Sequence, residues 1–416
     1  MRVNSAADWS AALAILGARR HYIEARVLAN AGRLERLYTD YYLPSGGWGA
    51  LLRRTLQHLP WAICRRAATR HAVGLPDRLV VPLNFLGVLY ALALQVAWGR
   101  AERERINALF GSWFGQAAAR RGFGRAAVVV GVNTASVEWF TAAHRGGLAC
   151  VLDQCSAPYT IYDQLLAEEY QLWPDWEVDS VPHRHRLLSQ RERREWELAD
   201  GIICGSQFVA DGLVAEGVER SKCLIVPSGV DIAVYSGART QRSPGRLRVL
   251  FLGKVSITKG IQYLFQALEM LADDGLEVQA AGGITVNAAA QARLRSRMKL
   301  LGLQSRNVVP SLLRWADVLV LPTICEGSAL VTYEALVAGV PVITTPNAGS
   351  PVNDGVTGFI VPHRSAAAVA ERLEWLRRNP NMLREMSVAA QQYAMAHFSW
   401  EAYGHRLLLA IGSVLR

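Results

Sequence analysis

What the sequence withholds narrows its chemistry first. Its six cysteines (Cys64, Cys150, Cys155, Cys204, Cys223, Cys325) never fall at CxxC spacing, so they read as free thiols of a reducing compartment rather than a zinc site or a disulfide framework. No low-complexity tract interrupts the chain, and no Asp-x-Asp metal motif occurs; Asp273-Asp274 fits a helix-end turn. No Walker sequence is present, which disfavours a nucleoside triphosphatase. The arginines come without a helix-turn-helix, zinc or stacking-aromatic signature, so nucleic acid is not an expected partner. Met1 to Arg20 contains Asp8 and too short an apolar stretch for a signal peptide. The 20-residue apolar run Leu79–Trp98 is broken by Pro82, Asn84, Gly87 and Gln95, and reads as a strand plus a buried helix rather than a membrane span.

What is present is enough for two cores. At 416 residues with 51% hydrophobic side chains, two domains are the default. Charge is unevenly spread: residues 1–150 hold 19 arginines against 8 acids, whereas residues 151–230 hold 7 bases against 14 acids. A basic first third suits an acidic substrate or an anionic lipid surface. Within it, residues 51–75 alternate Arg53, Arg54, Arg65, Arg66 and Arg70 with leucines and Trp61. That stretch is a candidate contact with an anionic membrane, with a solvated arginine face as the equal alternative. The expected location is cytoplasmic, peripheral on the inner membrane face if that contact forms.

Strands and helices alternate along the chain. Leu13–Leu16 with the turn at Gly17, a helix over about 21–31 and a strand over 34–42 make a βαβ opening. Two buried strands follow, ending in Asn133-Thr134 and Asp153-Gln154. Ser189–Leu198 reads as a solvated charged helix, and His183 and His185 as surface residues. Residues 236–246 are the one polar stretch of linker type. They divide an N-terminal domain (1–235) from a C-terminal domain (247–395), and residues 396–416 form an amphipathic helix that crosses back to the first. The second domain opens with a strand running into Gly253-Lys254 and Lys259-Gly260 before a helix. Close backbone approach, free helix-start N–H groups and two ammonium groups suit a phosphate or diphosphate.

A later segment carries the other half of the chemistry. Leu319–Leu321 is a buried strand ended by Pro322, Glu326-Gly327 form the loop, and Ser328 is placed to cap a helix containing Glu334. A carboxylate among apolar neighbours needs hydrogen-bond donors, and sugar hydroxyls would serve.

These pieces in order (Gly253-Lys254, Lys259-Gly260, Glu326-Gly327-Ser328, Glu334-Ala335-Leu336, Gly339-Val340-Pro341 and Asp354–Phe359) resemble the family 4 glycosyltransferases of GT-B fold. The resemblance covers about residues 199–400. It implies two Rossmann-like α/β domains facing each other across a cleft, and metal-independent transfer with retention of anomeric configuration. It implies no cofactor beyond the nucleotide-sugar donor, and a glycan or lipid-linked acceptor. By the same resemblance Glu326, Lys259 and Lys254 are the catalytic candidates. Gly253, Lys254, Lys259, Gly327, Ser328, Ala329, Leu330 and Glu334 would bind the donor, with Glu334 on the ribose and Glu326 on the sugar. Gly17, Asn133, Asp153 and Gln154 are the candidates for the acceptor side. This sequence departs from the family at Lys254, usually arginine, and at Leu152-Asp153-Gln154, where many relatives carry a histidine. Asn307–Pro310 also shortens the usual base-contacting loop. A nucleotide-sugar epimerase of the same fold and a non-catalytic nucleotide-sugar-binding partner are the alternatives.

Overall fold

The computed structural model describes residues 9–59, 64, 67–178, 183–237, 246–271 and 275–415. Most of the expected linker, together with Trp61, Arg65, Arg66 and Asp273-Asp274, lies outside the described residues. The first sheet contains β1 (Ala11–Ile15), β2 (Leu34–Thr39), β3 (Val80–Pro82), β4 (Val128–Val132), β5 (Ala149–Gln154), β6 (Gly201–Cys204) and β7 (Cys223–Ile225). It runs β3-β2-β1-β4-β5-β6-β7, and every pairing is parallel. The second contains β8 (Leu247–Leu252), β9 (Leu276–Ala281), β10 (Lys299–Gly302), β11 (Val318–Leu321), β12 (Val342–Thr344) and β13 (Gly358–Ile360). Its order is β10-β9-β8-β11-β12-β13, again wholly parallel.

Parallel strands need helices on both faces, so their sequences are apolar at successive positions rather than at alternate ones. In β8, Val249 and Phe251 enter one core while Leu250 and Leu252 enter the other. In β11, Val318 and Val320 oppose Leu319 in the same way. Each sheet is thus the middle layer of three.

The C-terminal helix Trp400–Ser413 crosses back to the first domain. Ser399 caps it by accepting from the Ala402 N–H, and Tyr403, Leu407 and Ile411 enter the first core. A second crossing was not legible. Helix Tyr159–Leu172 begins beside the first sheet, yet Leu166, Tyr170 and the following Trp176 are members of the second domain's core. Buried Glu169 accepts from Gln262 Nε2 (2.8 Å) and the Tyr263 hydroxyl (2.9 Å), and pairs with Arg364.

Two readings of helices need correction. The helix Asn84–Val96 forms as expected, but it is not buried: Phe85, Val88, Leu89, Leu92 and Val96 all face outward. Its inner face is set by Gly87, where a Cβ would lie 2.4 Å from the Asp40 carbonyl oxygen. Among the described residues, no helix is long and apolar enough to cross a membrane. The charged helix Arg186–Leu198 is also not simply a solvated face, because Glu192 and Glu195 are fully buried on it.

Candidate functional site

Each sheet reverses its strand order at one neighbouring pair, β1/β4 in the first and β8/β11 in the second. The crevice outside the carboxyl ends of such strands is where open parallel sheets bind ligands. Gly17 and Asn133 follow β1 and β4, while Gly253-Lys254 and Pro322–Glu326 follow β8 and β11.

Backbone contacts bring the second-domain loops together. Thr258 O accepts from the Ile324 N–H (2.9 Å) and the Thr323 hydroxyl (3.1 Å), stitching the turn before Gly260 to the loop after β11. Gly260 has φ +75° and lies where a Cβ would meet Pro322 O at 1.9 Å, so glycine alone permits this closeness. The result sets Lys259 Nζ against Glu326 Oε2 as an ion pair. Burial, then the neighbouring Lys254 ammonium, pushes the Lys259 amine down to about 8. The Glu326 carboxylate acts in the opposite direction, favouring the charged amine.

Lys254, Lys259, Glu326 and Glu334 line one cavity of about 500 Å³, together with Gly253, Ala329 and Leu330. Glu334 sits inside helix Leu330–Val337 and accepts from the Tyr235 hydroxyl (2.8 Å). Burial raises its pKa above the ordinary carboxylate range, while the Tyr235 bond and Arg306 oppose that shift. Ser328 does not cap this helix: its hydroxyl donates to the Tyr333 hydroxyl (3.0 Å) and Ala329 holds the cap position. With no side-chain cap, the first-turn N–H groups keep their preference for an anion.

Gly327 lies at the seam between the domains rather than in that cavity. A Cβ there would sit 2.3 Å from Cys155 O, and Gly327 O accepts from the Ser206 hydroxyl (2.6 Å). Beside it, Gly205 lies within 4.0 Å of both Ser328 and Arg20 Nη2 by the position its Cβ would take.

On the first-domain side the expected residues divide. Gly17 N–H donates to Asp40 (2.9 Å) at the carboxyl ends of β1 and β2. Asp153 is buried, with its Oδ1 3.7 Å from Arg20 Nη2. Asn133 and Gln154 are instead taken up by structure. Glu192 Oε1 accepts from Asn133 Nδ2 (3.0 Å) and Gln154 Nε2 (2.9 Å), and Glu192 Oε2 accepts from the Tyr159 N–H (2.9 Å). Trp196 Nε1 donates to the remaining Gln154 oxygen (3.0 Å). Neighbouring Glu195 accepts from the Thr134 and Ser136 N–H groups, and burial pushes it up to about 8. Two arginines with no motif to mark them, Arg19 and Arg20, stand at this edge. Arg19 donates to Asn133 Oδ1 (2.8 Å), and Arg20 donates to Glu24 (3.0 Å) and Tyr403 (3.2 Å).

The histidines also differ from expectation. His183 pairs with Glu104 (2.9 Å) and His185 with Asp163 (2.6 Å), and both line a second cleft of about 640 Å³ that shares Lys254 and Lys259 with the first. Gly282, Gly283 and Gln304 line the first cavity without having been singled out. The Gly282-Gly283 pair closing a strand beside β8 was the available signal, since a Cβ on Gly282 would meet Gly253 O at 1.8 Å.

Residues 238–393 match the family model described as glycosyl transferases group 1. Among curated proteins, a D-inositol 3-phosphate glycosyltransferase of Arthrobacter sp. (strain FB24) is 30% identical over 240 residues, covering 51% of this chain and 56% of that one. An alpha-maltose-1-phosphate synthase of Mycolicibacterium smegmatis is 25% identical over 307 residues, covering 66% and 76%. The chain thus spans little more than half the length of the first of these relatives. Among solved structures, Anabaena Alr3699/HepE in complex with UDP-glucose superposes with TM-score 0.60 at 15% identity, covering 98% of this chain and all of that one. A glycosyltransferase from Rickettsia africae gives TM-score 0.62 at 13% identity, covering 98% and 99%. At such identities the superpositions speak for the fold, a GT-B pair of domains with a returning C-terminal helix.

Proposed function

For a chain of GT-B fold with a glycosyl transferases group 1 domain at residues 238–393, we propose a retaining glycosyltransferase. It would move a sugar from a nucleotide-diphosphate donor to a hydroxyl of a glycan or lipid-linked acceptor, in polysaccharide or glycolipid synthesis. The observation that carries this reading is the convergence of two amines and two carboxylates on one cavity at the β8/β11 crevice. Breaking the sugar–phosphate bond leaves negative charge on the departing diphosphate. Lys259, Lys254 and the uncapped helix start are the groups placed to meet it. Glu334, oriented by Tyr235, takes the nucleoside ribose, and Glu326 takes hydroxyls of the transferred sugar. The UDP-glucose bound by Anabaena Alr3699/HepE, which shares this fold, supports a nucleotide-sugar donor.

Thermal stabilisation by a panel of UDP-, GDP- and ADP-sugars tests the donor site. A ligand at 100 times its dissociation constant adds about 2.7 kcal/mol. Glu334→Ala removes a charge-assisted contact typically worth about 1.5–3 kcal/mol, so at the same concentration most of that stabilisation disappears. Full stabilisation of the variant would remove Glu334 from the site, and no response to any donor would sink the reading.

The Lys259 amine gives the reaction a pH signature. Its charge is present below about 8 and lost as pH rises through that value. The kcat/KM of the wild type therefore falls about tenfold between pH 7 and pH 9, since this ratio follows the free enzyme. Lys259→Arg, whose guanidinium stays charged, flattens that limb whatever its absolute rate. A limb unchanged in Lys259→Arg would assign the titration elsewhere.

A further inference from the structure

The outward faces of helices Gly47–His58 and Asn84–Val96 remain unexplained by the reading above. Trp48 is 64% exposed and Leu51 68% on the first, Phe85 80% on the second, and Trp98 95% just beyond it. The helices follow β2 and β3, so each begins beyond a carboxyl end of the first sheet, the end that opens on the crevice. A core helix turns such residues inward. Here Gly87 and Gly49 do the packing instead, each too close to backbone for any larger residue (a Cβ would meet Asp40 O at 2.4 Å and Pro44 O at 2.5 Å). The apolar side chains are left facing outward, with Leu92 and Val96 among them.

Charge says what chemistry would cover them. Residues 47–125 contain twelve arginines against three acids, and Arg54, Arg78, Arg103, Arg120 and Arg121 are exposed. Apolar side chains with tryptophan at the edges and arginine around them match an interfacial helix, lying in the headgroup plane of an anionic bilayer. A second copy of this chain would set the same positive charge against itself. The arginines expected to supply this contact are partly turned inward: Arg53 donates to Pro44 O and Ser45 O, and Arg70 pairs with Asp40 (3.1 Å).

Opening at Val88 on that face is a trough of about 540 Å³, walled also by Ala91, Leu94 and Tyr41, with Asp40, Arg70, Gln95 and Arg103 in its lining. While Arg70 Nη2 donates to Asp40, its Nη1 is buried and donates to no acceptor among the described residues, and it stands 3.8 Å from where a Cβ on Gly17 would be. A trough with apolar walls, and with a guanidinium that keeps one N–H group unused beside its Asp40 pair, suits a lipid chain joined to its head through an anionic group.

We propose that helices Gly47–His58 and Asn84–Val96 dock the protein on an anionic lipid bilayer, and that the acceptor is lipid-borne, reaching the crevice through this trough. The second half rests on the transferase reading; the first does not. Flotation of the full chain with vesicles of phosphatidylcholine alone, or with 30% phosphatidylglycerol, tests the docking at low and high salt. Expected is binding to the anionic vesicles at low salt, at least tenfold weaker on phosphatidylcholine. Phe85→Asp and Trp98→Ser should each lose tenfold or more, while Val388→Asp, equally outward on the second domain, floats as wild type. Absence of flotation at low salt overturns the docking, as does equal flotation of the Phe85 and Trp98 variants. A self-association in sedimentation that Phe85→Asp abolishes would likewise reassign the face, to a second copy of the chain. For the trough, decyl phosphate below its micellar concentration should raise the melting temperature more than decanol does. Val88→Trp, which fills the trough, and Arg70→Met should both erase that difference. Equal shifts from the two amphiphiles, or a difference that survives Val88→Trp, would overturn the acceptor half. Neither measurement uses a nucleotide-sugar, so their failure is separate from failure of the donor site.

Discussion

Lys259→Ala lowers kcat by about 10²–10³-fold while leaving the melting temperature close to wild type. The magnitude is that of removing one preorganised charge from a developing oxyanion, about 2.7–4 kcal/mol. Lys259 is the amine to choose because the Gly260 turn and the Thr258–Ile324 bond hold it against Glu326, whereas Lys254 is exposed on its loop. A fixed charge needs no reorganisation when the bond breaks, and a solvated one does. Loss of the amine also frees Glu326 to repel the departing phosphates, so Lys259→Ala exceeds Lys254→Ala in effect. Single-turnover conversion of donor, with and without acceptor, measures both variants. Turnover near wild type for Lys259→Ala would count against the proposed leaving-group role.

Glu192→Ala has its large effect on stability. The carboxylate is fully buried and accepts from two side-chain amides and one backbone N–H. Burial raises its pKa, and those three donors partly restore its charge preference. Truncation leaves the donors without their acceptor, each unmet group costing about 1–3 kcal/mol. With some recovery from removing a buried charge, the net loss is about 3–5 kcal/mol, toward the low end of what three unmet donors would cost. Glu192→Gln retains an acceptor oxygen and loses less. Urea unfolding of the three proteins measures this, and a loss under about 1 kcal/mol for the alanine variant would mean water replaces the carboxylate.

The contrast between Glu192 and Glu334 shows what could be read from the chain. The cavity residues were legible because Gly253-Lys254, Lys259-Gly260 and Glu326–Glu334 each sit where a buried strand meets a helix, and strand ends are marked by composition. Their convergence follows from one sheet order. Glu192 and Glu195 were misread because their helix is rich in charge, and sequence alone cannot say which carboxylates meet donors from a loop about 60 residues away. The same limit hid His183 and His185, whose partners Glu104 and Asp163 come from other helices. Helix Asn84–Val96 failed in the opposite sense. Apolar composition signals burial only when something covers it, and the packing glycine at position 87 turned that face outward.

Helix Tyr159–Leu172 bears on how the two halves can be handled. Leu166, Tyr170 and Trp176 complete a core otherwise built from residues beyond 246, and Glu169 is clasped by Gln262, Tyr263 and Arg364. A chimera that exchanged the first half for a homologue's at the polar stretch would therefore carry a foreign plug into its neighbour's interior. Swaps of acceptor preference are better cut on both sides of residues 159–178, so that this segment travels with the half it fills.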